Sequence, residues 1–164
     1  MKYQVKLQDN IGLYSQNTVP ANINEITSIE KELGILIPMA IKEFFLLVGN
    51  DYDYLWDGGD ADKISRLIYN KNLAIKLLNE CGVFFSRDYF VFSSYSGDQF
   101  MFVYLDEGDD PPVYRFETEL FYCGDDYMPG SSTWSFPKGV SKIADSFSEM
   151  INNVVTNKIK QQNN

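Results

Sequence analysis

Histidine is absent from the 164-residue chain. With it go the commonest general base and the commonest transition-metal ligand. A Ser-His-Asp or Cys-His site cannot be assembled from the remaining residues, and an ordinary zinc site is not expected. Long apolar runs are missing too: nothing approaches the roughly 20 residues that a membrane-spanning helix needs. The opening, MKYQVKLQDN, places charges and amides where a secretory signal carries an apolar stretch, so a cytoplasmic location is expected. Cysteine is scarce. Cys81 and Cys123 lack metal-ligand spacing and are expected as buried thiols rather than as a disulfide. Gly58-Gly59 and the GDQF stretch have no downstream Lys-Ser/Thr, so no phosphate-binding loop is present.

Basic residues are the other shortage. There are 14 Lys and Arg against 23 Asp and Glu, a net charge of −9. The excess is local. DYDYLWDGGDAD (51–62) holds five aspartates and no cation, and residues 98–126 hold nine acidic groups against Arg115 alone. Such a field repels nucleic acid and anionic membranes and speeds encounter with a cationic partner. The acidic loops have the oxygen density that calcium takes. Neither reproduces an EF-hand spacing, however, so no metal or cofactor site is expected.

What is present reads as one globular domain, 45% hydrophobic and 15% aromatic. Residues 1–21 alternate loosely and are predicted as an extended arm, 22–157 as the folded domain, and 158–164 as a frayed polar tail. Ile23, Ile26, Ile29 and Leu33 set a helical stripe, with Asn22 or Asn24 as cap and Gly34 as terminator. Pro38 opens a second helix whose Ile41, Phe44, Phe45 and Val48 face inward, closed by Gly49-Asn50. A third runs from Ala61 to Gly82, with Ile64, Leu67, Ile68, Ile75 and Leu78 on one side. YFVFSS and QFMFVYLDE flank the turn signal YSGD, and VYRFE adds a third strand. Both faces of the first two strands are apolar, as in a covered sheet. Residues 118–137 are predicted as short strands and loops, and VSKIADSFSEMINNVV as a closing amphipathic helix. The order predicts an α+β fold with a mostly antiparallel sheet, two N-terminal helices, a middle helix and a C-terminal helix.

The helix pair INEITSIEKELGILIPMAIKEFFLLVGN resembles the opening of the SUKH superfamily, which includes bacterial immunity proteins and the fungal cell-wall-assembly regulators. The matching elements are Glu30 to Gly34, Ile37-Pro38, Phe44-Phe45 and Gly49-Asn50. The stretch YFVFSSYSGDQFMFVYLDEGDDPPVYRFE is similar to that group's central hairpin, with Gly97-Asp98 before an aromatic strand ending at Asp106. The resemblance spans roughly residues 22–155. It implies an immunity function, in which a toxin, often a nuclease, is neutralised by binding, and it brings no catalytic residues with it.

Two readings of the acidic stretches stand side by side. They are solvated loops with Trp56 turned into the core, or they are a surface for lysines and arginines. Arginine pairs bidentately with carboxylates and stacks on aromatic faces, so acidic plus aromatic is the matching chemistry. On the second reading the partner-binding residues are Asp51, Asp53, Tyr54, Trp56, Asp57 and Asp60, joined by Asp106, Glu107, Asp109, Asp110, Asp125 and Asp126. The expected partner is a basic protein toxin, bound without catalysis. The first rival is a scaffold or regulatory module that binds through an apolar patch. A hydrolase using a carboxylate pair such as Asp57/Asp60 or Asp109/Asp110 comes third.

Overall fold

The computed structural model describes residues 1–13, 19–49, 63–122 and 137–162. Four antiparallel strands form one sheet in the order β1 (Tyr89–Tyr95), β2 (Gln99–Tyr104), β3 (Val113–Glu117), β4 (Val140–Ala144). Six helices accompany it among the described residues: α1 (Val5–Asp9), α2 (Ile23–Leu33), α3 (Met39–Val48), α4 (Leu67–Cys81), α5 (Thr118–Tyr122) and α6 (Phe147–Gln162). The fold is α+β, with helices packed on a central sheet, as the element order predicts.

Local chemistry sets the helix ends. The Asn22 side chain accepts from the backbone N–H groups of Asn24 and Glu25 at 2.9 and 3.0 Å, while Glu25 accepts from the Asn22 N–H at 2.7 Å. This reciprocal box satisfies donors that the first turn of α2 leaves bare. Gly34 (φ 69°) and Gly82 (φ 64°) end α2 and α4 in the left-handed conformation that glycine adopts without penalty. Gly49 has a steric role instead. A Cβ there would lie 2.4 Å from the Phe45 carbonyl oxygen and 2.7 Å from the Ala21 Cβ, where the chain crosses the end of α3.

The sheet is covered on both sides. Phe90, Phe92, Val103 and Val113 pack with Ile26 and Leu33 of α2, Ile41, Phe44, Phe45 and Val48 of α3, and Phe147, Ile151 and Val155 of α6. On the opposite face Val91, Phe100, Phe102, Tyr104, Tyr114, Phe116 and Val140 meet Ala74, Leu77, Leu78 and Cys81 of α4. The aromatics there are layered: Phe100 on Phe116 and Phe102 on Tyr114, with ring centroids 5.2 and 5.5 Å apart. Such offset ring pairs add to the transfer energy of burying the rings. In the β1–β2 turn, Ser96 (φ 50°) and Gly97 (φ 78°) both take positive φ, the backbone signature of a tight hairpin.

Several expectations need correction. The N-terminal arm is not extended: residues 5–9 form α1, which packs against α6, and Leu7 is fully buried in the main core. The cause is a carboxylate on another helix. Glu43 accepts from the backbone N–H groups of Lys2, Tyr3 and Gln4 at 2.7, 2.7 and 3.1 Å, so it caps the chain from outside its own sequence neighbourhood. Residues 140–144 are strand β4, not the start of the last helix. Val140 and Ala144 pair with Phe116 and Val113, and α6 begins only at Phe147, after Asp145-Ser146. That helix continues to Gln162, through most of the tail expected to fray. Residues 118–122 form α5 rather than strand. Ile23 and Ile75, assigned to inner faces, are exposed; Ala74 and Leu77 take the inner positions of α4.

Candidate functional site

The sheet has two ends. Antiparallel pairing brings Tyr89, Tyr104, Val113 and Ala144 to one of them. The connections leaving that end are residues 82–88, 105–112 and 145–146. They carry Asp88, Asp106, Glu107, Asp109, Asp110 and Asp145 against a single cation, Arg87.

Arg87 engages two of these carboxylates, and Lys142 of β4 pairs with a third, Asp145, at 2.5 Å. The Arg87 Nε lies 3.1 and 3.0 Å from the two carboxylate oxygens of Asp106, and its Nη2 donates to Asp106 and, at 2.9 Å, to Glu107. Its guanidinium lies 4.0 Å from the centre of the Tyr104 ring. The hydrogen bonds to Asp106 raise the Arg87 pKa, and the same contacts hold the Asp106 carboxyl below its ordinary range. Both groups therefore stay charged at any physiological pH. Tyr114 donates to Glu107 at 3.1 Å. Burial pushes the Tyr114 phenol up to about 12, and the Glu107 charge pushes the same way.

The neighbouring aspartates divide by role. Asp110 accepts from the Ser148 N–H at 2.9 Å and from its hydroxyl, a side-chain cap on the first turn of α6. Pro111 reinforces that joint, its carbonyl accepting from the Phe147 N–H at 2.8 Å. The Asp109 carbonyl accepts from the Ala40 N–H at 2.9 Å, which fixes the same loop against the start of α3. The carboxylates of Asp88 and Asp109 make no ion pair with the described residues, and both residues are exposed.

Of the residues predicted to meet a partner, the fold thus brings Asp106, Glu107, Asp109 and Asp110 into one loop at one end of the sheet. Asp51, Asp53, Tyr54, Trp56, Asp57, Asp60, Asp125 and Asp126 lie outside the described residues. Asp98 and Glu117, counted in the same acidic window, belong to the opposite end. There Glu117 pairs with Arg115 at 3.1 Å.

Sequence reasoning missed the apolar part of this surface. Phe84 is 85% exposed and Leu36 78% exposed, the two highest values for large apolar side chains among the described residues. The signal for Phe84 was the Phe84-Phe85 doublet just after the terminator Gly82, because one of two adjacent residues in a tight reversal must turn outward. Two shallow recesses border α2, one lined by Glu25, Ser28, Ile29, Ile64 and Ser65, the other including Glu30, Lys31 and Leu36. Each holds one carboxylate, and the paired carboxyls that glycoside chemistry requires are not found in either. Among the described residues no group of three or more His, Cys, Asp or Glu could hold a metal ion, and no helix is long and apolar enough to cross a membrane.

The protein is an α+β domain, a covered antiparallel sheet whose charged groups gather in the connecting loops at one end. The family model for the SMI1 / KNR4 family (SUKH-1) matches residues 20–153, and the chain belongs to that family. No curated protein matches it. The match starts after α1 and ends within α6, so the Glu43-capped N-terminal segment lies outside it.

Proposed function

We propose that this protein is a cytoplasmic immunity protein that neutralises a polymorphic toxin by binding it, with no chemistry of its own. Membership of the SUKH-1 family carries the reading. The acidic side chains at one end of the sheet, only partly offset by Arg87 and by the Lys142–Asp145 pair at 2.5 Å, support the finer statement that the toxin presents a basic surface. A nuclease toxin needs lysines and arginines to hold phosphates. A carboxylate-rich surface attracts the same cations at long range and excludes nucleic acid by like charge. In this reading Asp106, Glu107 and Asp109 face the partner together with the 51–62 stretch and Asp125 and Asp126. Asp110 contributes charge while holding α6.

The test pairs the chain with the protein encoded by the adjoining gene. Co-expression is expected to relieve that protein's toxicity, and association is expected to slow markedly between about 0.01 and 0.15 M salt. Unrelieved toxicity together with no detectable complex would overturn the proposal. A second reading, a non-catalytic scaffold or regulatory module, is favoured by the exposure of Phe84 and Leu36. It predicts an association that hardly responds to salt.

A further inference from the structure

Gly82 reverses the chain at the end of α4, and the next residues divide sharply. Phe85 turns inward and is anchored by its neighbours. Its ring lies 4.9 Å from that of Phe102, stacked, and 5.0 and 6.0 Å from those of Tyr89 and Tyr104, edge-on. Phe84, one residue earlier, has the opposite orientation. The loop that carries it is held on both sides, by Phe85 and by the Asp88 carbonyl, which accepts from the Leu105 N–H at 3.0 Å. An exposed ring on a fixed base loses little freedom when a partner covers it, which is the condition for an anchor. With Phe84 85% exposed, packing among the described residues gives it no reason to be large and apolar.

The second exposed apolar residue occupies a matching position. Leu36 lies in the α2–α3 joint, and Met39, 45% exposed, begins α3. The Ala40 N–H donates to the Asp109 carbonyl, so this joint also abuts the acidic loop. Hydrogen bonds thus join three segments in series: 83–88 with Phe84, 105–110 with its carboxylates, and 36–40 with Leu36 and Met39. Arg87 is already engaged by Asp106, Glu107 and Tyr104 and offers its charge to neither flank.

We propose that these three segments form one docking surface for a protein partner, with Phe84 and Leu36 as apolar anchors on either side of an acidic centre. The occupant is a partner face carrying lysines or arginines between two apolar sockets. Charge selects it: the acidic centre rejects an anionic face, whereas a cationic one gains carboxylate pairs at the exposed Asp88 and Asp109 and ring contacts at Phe84. The proposal rests on the partner-binding reading above and deepens it, by placing the contact at one end of the sheet.

The experiment uses the full-length ¹⁵N-labelled chain and a synthetic peptide in which a central run of lysines is flanked on each side by leucines. Saturable, salt-sensitive amide shifts are expected in 36–40, 83–88 and 105–109. Phe84→Ser and Leu36→Ser each replace an exposed side chain and so leave the fold intact. Each is expected to weaken binding by about tenfold, the usual cost of truncating an anchor. Shifts centred on 95–99 or 115–119, no saturable shift, or undiminished affinity in both variants would overturn the inference. If the peptide maps elsewhere while co-expression still relieves toxicity, the docking surface alone falls. If the peptide maps as expected and toxicity persists, the immunity reading alone falls.

Discussion

The two ends of the sheet solve the same problem, reversing the chain between antiparallel strands, with different chemistry. At the 95–98 turn the backbone does the work: Ser96 and Gly97 take positive φ, and the Asp98 N–H returns to the Tyr95 carbonyl at 3.3 Å. Asp98 is left exposed, with its side chain uninvolved in that closure. At the other end side chains do the work. Arg87 clamps the loop entering β1 to the loop leaving β2, and Asp110 caps α6. Acidic residues are therefore not equivalent currency across the molecule. Asp110 holds the fold, Asp106 and Glu107 engage Arg87, and Asp88 and Asp109 make no ion pair with the described residues. A count of charge along the chain merges these three roles.

The largest test of the comparison asks whether both ends rest on the same core. Phe147, at the acidic end, makes edge contacts with Phe44 and Phe92 at 5.5 and 5.2 Å, and Phe116, toward the turn end, stacks on Phe100. Both are fully buried. Phe147→Ala and Phe116→Ala should each cost about 3–5 kcal/mol in urea unfolding. A cost below about 1 kcal/mol for either would mean that its end is not part of the cooperative unit.

A smaller contrast lies within the acidic loop. Asp110→Ala removes the acceptor for the Ser148 N–H while the Ser146 hydroxyl still accepts from the Glu149 N–H at 3.1 Å, so it should cost about 1 kcal/mol, with Asp110→Asn recovering much of it, since an amide oxygen can still accept. Asp109→Ala keeps the backbone carbonyl that binds Ala40 and should stay within about 0.5 kcal/mol. Equal losses at the two positions would break the division of roles drawn above.

The smallest effect is spectroscopic. The phenol of Tyr114 is raised to about 12, first by burial and then by the Glu107 charge. Its neutral form is favoured in the fold. The associated stability is complete below the ordinary tyrosine value near 10 and is lost as pH rises toward the folded value. Ultraviolet titration of the folded protein should show a late-ionising phenol that disappears in Tyr114→Phe.

How much of this was legible follows from how far each signal reaches along the chain. The Gly34 and Gly82 stops and the Gly97 turn are written within four residues and could be read directly, while the cap of α2 was narrowed to Asn22 or Asn24 and the fold selects Asn22. The inner face of α3 was equally plain, because Ile41, Phe44, Phe45 and Val48 repeat at helical spacing. Strand β4 was not: Val140, Ile143, Ala144 and Phe147 fit a helical period by accident, and only pairing with β3 reveals the break at Asp145-Ser146. For α1 the deciding group, Glu43, stands 39 to 41 residues away. The same holds at the candidate surface. The acidic character of residues 106–110 was visible, but Arg87 lies 19 residues from Asp106, and no local pattern announces that they meet.

The Glu43 clasp also bears on how this protein can be handled. A recombinant fragment cut to the family boundaries, residues 20–153, would discard Leu7 and Val155, both wholly enclosed, and would strip the Glu43 carboxylate of its three amide donors at once. Such a fragment keeps every residue by which its kinship is recognised and still opens a hole in the packing beside α3 and α6. Any tag or fusion is better attached beyond Gln162, because the amides of Lys2, Tyr3 and Gln4 are already occupied.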